Sequence, residues 1–174
     1  MWKWLRLPGH TSGDRRKLLG RLAATGGVLA AAGSGPAIGG IKDESGNGLR
    51  FPGEAASNRV VYQFNKPDEE YQRHVLFSVG ALLREYGDNV GIVVTAFGPG
   101  IHILLKQPQR PVSKQIRDTV QSLSVYGVQF HACGNTLKAL KLTAKDILPF
   151  AKYVNAGAAD LMALQQQGYA YISW

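Results

Sequence analysis

The run Val90-Gly91-Ile92-Val93-Val94-Thr95-Ala96-Phe97 holds only one polar side chain, between Asn89 and the breaker Gly98-Pro99-Gly100. A strand that alternates apolar with polar residues can leave one face in water. A nearly continuous apolar strand cannot, and belongs in a parallel sheet covered on both sides. The segments before it agree. Arg59 to Asn65 is β-branched and aromatic and stops at Asn65-Lys66-Pro67, which predicts a strand. Pro67 then suits the first turn of a helix, with Asp68, Glu69 and Glu70 near its positive end. Tyr71, Val75, Val79, Leu82 and Tyr86 recur every three or four residues, Leu76 and Leu83 widen the stripe, and Gly87 stops it.

The alternation continues. Gly98-Pro99-Gly100 reads as a turn, and Ile101 to Leu105 fits a strand or a helical turn equally. Ser113 can cap a second helix with Ile116, Val120 and Leu123 on its apolar side, ending at Tyr126-Gly127. Val128 to Cys133 is the next strand and Asn135 to Leu140 a short helix. Thr143 and Asp146 have the spacing of a capping box, with aspartate the shorter reach. Phe150 to Val154 suits a strand, Asn155 can cap a last helix through Leu161 and Leu164, and Gly168 ends it before the strand Tyr169 to Trp174. Strands alternating with helices predict an α/β fold, a mostly parallel sheet of about five strands with helices on both faces. Ligands and reactive groups gather at the carboxyl ends of such strands. Asn65, Gly98-Pro99-Gly100, Cys133 and Asn155 all stand there and should share one rim.

Charge divides the chain unevenly. Of a net +8, the first 32 residues carry +5, with six basic residues against Asp14; the rest holds fourteen basic and eleven acidic residues. That balance gives the folded part no electrostatic footprint for nucleic acid. Arg15-Arg16-Lys17-Leu18-Leu19, a mild apolar run from Leu22 to Ala32 and the small residues Ala30-Ala31-Ala32 together resemble a twin-arginine export signal over 1–32. Asp14 stands where serine or threonine is common in such signals. The apolar run is too short and glycine-rich for a stable membrane span. An amphipathic N-terminal helix is the plainer alternative. Residues 33–58, rich in glycine, serine and proline, read as a linker or arm, and the folded domain is expected over 59–174.

Cys133 is the only cysteine, so no internal disulfide and no cysteine-based metal framework can form. It sits where a strand gives way to a helix, and there the amides of the first helical turn favour thiolate over thiol. A lone cysteine is otherwise a small buried apolar residue. The backbone amides of Asn135 and Thr136 could hold an anionic sulfur, with Gly134 keeping the approach open. His131, two residues before Cys133 on the strand, points the same way and either pairs with the thiol or packs under a helix. His102 could approach the rim from another element. Lys138 either adds positive charge or is a solvated helix lysine. Cys133, His131 and His102 are the one conceivable metal set, and their spacing is not diagnostic, so neither metal nor cofactor is expected. Gly98-Pro99-Gly100 lacks the spacing of a phosphate fingerprint.

The strand–helix–strand start, the glycine-proline-glycine turn, the segment Ala132-Cys133-Gly134-Asn135-Thr136 and, in the tail, Leu148-Pro149-Phe150, Asn155-Ala156-Gly157 and Gln167-Gly168-Tyr169-Ala170-Tyr171-Ile172 resemble the DsrE/DsrF-like family across Arg59 to Trp174. The resemblance implies a small α/β protein that assembles as a homo-oligomer, trimer or hexamer. In relay members of that family a cysteine carries persulfide sulfur between proteins, and Cys133 matches the position. The expectation is an exported, periplasmic sulfur carrier or sulfurtransferase-like protein, its partners sulfur donor and acceptor proteins or small sulfur species. Two other functions fit the residues: a non-catalytic oligomeric binding module with a packed cysteine, and a thiol redox sensor.

Overall fold

The computed structural model describes residues 55–174. Arg15, Arg16, the rest of the export-like segment and most of the linker lie outside the described residues. Five strands form one sheet: β1 (Asn58–Phe64), β2 (Val90–Ala96), β3 (Gln129–Cys133), β4 (Ala151–Val154) and β5 (Ala170–Ile172). All neighbours are parallel, in the order β4-β3-β2-β1-β5. Four α-helices connect them: α1 (Glu69–Tyr86), α2 (Lys114–Val125), α3 (Gly134–Ala139) and α4 (Gly157–Gln166).

The strand order sets which face each helix covers. From β1 to β4 the chain steps steadily in one direction, and right-handed crossovers keep α1 and α2 on one face. The return from β4 to the far side of β1 runs the opposite way, which puts α4 on the other face. The core follows this division. Val60, Tyr62, Phe64, Ile92, Val94 and Phe130 pack with Val75, Val79, Ile116 and Val120 in the larger cluster. Val61 and Val93, the alternate positions, meet Leu161 and Leu164 of α4 in a smaller one.

The cap predicted at Ser113 forms, accepting from the Ile116 amide at 3.4 Å. Asp68, read in the sequence only as an acid near the positive end of α1, is the cap of that helix and accepts from the Tyr71 amide at 2.8 Å. Four local expectations change. Pro67 precedes the cap of α1 instead of lying within its first turn. Gly98-Pro99-Gly100 opens a 3-10 helix, Gly98–Leu104, whose Ile101, Ile103 and Leu104 are buried. Gly100 is required there because a Cβ would sit 2.5 Å from the Phe64 carbonyl oxygen. Thr143 and Asp146 start no helix. The Asp146 carboxylate accepts from the Thr143 amide at 2.8 Å and hydroxyl at 2.9 Å, which closes a turn and holds its pKa below the usual range. Ile147 then leaves that turn as a bridge partner of Leu105. Asn155 does not cap α4; Ala156 does, without a side-chain bond.

Candidate functional site

Side-chain alternation on β3 sends Phe130 and Ala132 toward the larger core and His131 and Cys133 toward the α4 face. Cys133 is the N-cap residue of α3 and is buried, with 5% of its surface exposed. Its surroundings are polar on the side that matters. The Gly157 amide, the first of α4, donates to Sγ at 3.1 Å. Ala156 has no side-chain acceptor to offer that helix, so a sulfur from a different element satisfies one of its orphan donors.

Burial is the largest influence on the thiol and favours the neutral form. It is outweighed by the Thr136 hydroxyl and amide, the Gly157 amide and the Asn135 amide, and the pKa falls below the ordinary thiol value. The Thr136 hydroxyl oxygen accepts from the Gly98 amide at 2.9 Å, which leaves its own hydrogen for the sulfur. The 3-10 helix after β2 is thereby tied to the thiol through one side chain.

The amide cradle differs from the one read in the sequence. Asn135 donates its N–H to the Asn155 carbonyl at 3.1 Å, joining the carboxyl ends of β3 and β4. The α3 amides close no capping hydrogen bond to the Cys133 side chain, and act on it as nearby dipoles. Gly134 does not keep an approach open: a Cβ there would overlap the Tyr153 hydroxyl and ring. Lys138 is exposed and lines, with Gly134, Leu142 and Tyr153, a hollow of about 290 Å³.

The two histidines part company. His131 is 2% exposed, and its Nδ1 lies 2.8 Å from the Asp160 carboxylate of α4. Thr95 of β2 donates to the same carboxylate oxygen at 2.7 Å. His131 is therefore a packed, hydrogen-bonded side chain under a helix, with no hydrogen bond to the thiol. His102 lies buried in the 3-10 helix, its pKa lowered by burial and then by Arg110, and no hydrogen bond links it to Cys133. Among the described residues no group of three His, Cys, Asp or Glu side chains could hold a metal ion, and no helix is long and apolar enough to cross a membrane.

Sequence reasoning missed Gly157, Asp160, Thr95 and Tyr153. Two carried a signal. Thr95 is the only polar side chain in the run from Val90 to Phe97, and Asp160 is the one charged residue of α4, in its first turn.

The model of the DsrE/DsrF-like family matches residues 58–174. Among solved structures, a protein of unknown function from Methanobacterium thermoautotrophicum is similar at 28% identity and a TM-score of 0.61, over 68% of this chain and 100% of that one. The ychN protein from E. coli shares the fold at 11% identity and a TM-score of 0.55, over 67% of this chain and 99% of that one. No curated protein matches the chain.

Proposed function

The chain belongs to the DsrE/DsrF-like family, associated with sulfur relay, and we propose that it carries persulfide sulfur on Cys133. One observation carries this reading: the hydrogen bond from the Gly157 amide to Sγ, in a set of donors that lowers the thiol pKa despite burial. The thiolate is the nucleophile in sulfur exchange. In the proposed step, Cys133–S⁻ attacks the outer sulfur of a donor persulfide, R–S–SH. A new S–S bond forms at Sγ, the donor's S–S bond breaks, and R–S⁻ leaves with the electron pair. The product is Cys133–S–SH, and no net oxidant is consumed. An acceptor thiolate then removes the outer sulfur by the same exchange, regenerating Cys133–S⁻. Thr136 supports the thiol in this scheme through its hydroxyl and amide and Asn135 through its amide, Gly134 admits the Tyr153 ring beside them, and His131 and His102 do not react.

The working unit is a homo-oligomer, trimer or hexamer, acting in the periplasm after export through Arg15 and Arg16. Phe77 of α1 and Val125 at the end of α2 are exposed on the same side of the sheet, and assembly would cover them. The partners are persulfide donors and thiol acceptors.

A second reading has its own observation. With 5% exposure, Cys133 could be a packed side chain in a binding module. Mass spectrometry of the purified protein after incubation with a small persulfide separates the two. One added sulfur on Cys133, absent from Cys133→Ala, is the expected result, and light scattering on the same preparation should read three or six chains. A thiol that takes sulfur only after denaturation would leave the binding module standing.

A further inference from the structure

The hydrogen bond on which the thiol depends requires α4 to begin in one place, and the cap of α4 does not fix that place. Ala156 contributes no side-chain bond, and the Asn155 carbonyl is engaged by Asn135. The attachment lies three residues into the helix. One Asp160 carboxylate oxygen accepts from Thr95 Oγ1 at 2.7 Å and meets His131 Nδ1 at 2.8 Å. Thr95 and His131 are register partners on β2 and β3, so their side chains stand side by side beneath α4. Both are almost wholly buried, at 0% and 2% exposure. His131 Nε2 has no partner among the described residues, so the tautomer with the proton on Nδ1 avoids burying a bare N–H and lets the ring donate to the carboxylate. Anchors on two different strands resist both sliding and rotation of the first turn of α4. Gly157, the residue that meets the sulfur, belongs to that turn.

We propose that Thr95, His131 and Asp160 form a clasp that holds the Gly157 amide against the Cys133 sulfur. Asp160 is then a positioning residue: it touches no reacting atom and acts through the start of α4. This deepens the reading of Cys133 as a working thiolate and rests on it. The sign of its effect is distinctive. A carboxylate acting only through its charge would oppose a nearby thiolate, and removing it would make the thiol more acidic. A carboxylate acting through position does the reverse, because its loss releases a donor.

The test titrates the full-length protein by thiolate ultraviolet absorbance and by the rate of alkylation with iodoacetamide against pH. Asp160→Ala should raise the thiol pKa by about one unit, the scale of one lost charge-assisted hydrogen bond, with about a tenfold fall in alkylation rate below the pKa. Asp160→Asn keeps an acceptor oxygen in place and should restore near-normal values. A pKa unchanged in Asp160→Ala, even with a lower melting temperature, would reduce the cluster to a structural one and overturn the proposal. So would a pKa lowered in both variants. If Asp160→Ala does not fold, Thr95→Val keeps the side-chain shape and one arm of the clasp; it should still raise the pKa, and no change there is equally fatal. Sulfur loading is read separately. A low-pKa thiol that accepts no sulfur removes the relay and leaves the clasp, whereas a loaded thiol indifferent to Asp160 removes the clasp alone.

Discussion

His102 shows what burial does to a titratable side chain that no partner compensates. Its Nδ1 is buried without a hydrogen bond among the described residues, and burial, then Arg110, lowers its pKa. Between the depressed folded value and the unfolded value of about 6.5, the unfolded chain binds more protons. Stability is therefore complete above the unfolded pKa and is lost as pH falls toward and through the folded one. Within that window the slope cannot exceed about 1.4 kcal/mol per pH unit for a single group. Urea titrations from pH 7.5 down should show acid destabilisation in the native chain and a shallower fall in His102→Gln; parallel curves would mean that His102 contributes nothing. Cys133 is the contrasting residue. It too is buried, but hydroxyl and amide donors converge on its sulfur, and the pKa moves toward the charged form.

The elements explain why the sequence revealed the frame and missed the contacts. A parallel sheet covered on both faces writes itself as continuous apolar runs, which made β1, β2 and β3 legible. Caps at Asp68 and Ser113, and the left-handed glycines 87, 127 and 168, are local features with local signals. The start of α4 has no such signal. Asn155 looked like its cap because asparagine favours that role, yet its carbonyl was needed to join β4 to β3. Thr143 and Asp146 likewise matched a spacing, but the chain had to turn toward Leu105. The Gly157–Sγ hydrogen bond spans 24 residues of sequence and the Thr95–Asp160 bond spans 65, so only the assembled sheet brings these groups together. The uncapped start of α4 gives a prediction. Serine at 156 would supply an acceptor to the amides of the first turn, and Ala156→Ser should stabilise the protein by about 1 kcal/mol. Chemical denaturation measures it; a neutral or destabilising result would mean that contacts with β2 and β3 already satisfy that turn.

At the scale of the whole chain, charge is unevenly divided. The first 32 residues hold +5 of the net +8, while the remainder is close to balanced and carries the sheet and the thiol. The proposed export signal would account for that asymmetry, since such signals place positive charge ahead of an apolar run. If the proposed export holds, the thiol would work among oxidants, and the burial of Cys133 would limit its exposure to them. Arg15→Lys combined with Arg16→Lys separates a guanidinium pair from charge in general, because the double variant keeps +5 and every apolar residue. A twin-arginine route reads the pair itself, so the variant should vanish from the periplasmic fraction and accumulate uncleaved in the cytoplasm. An amphipathic helix reads only charge and hydrophobicity, and the variant would then distribute as the native chain does. Fractionation with immunodetection decides between them, and an unchanged distribution would withdraw the export claim while leaving the chemistry of Cys133 to be tested where the protein is found.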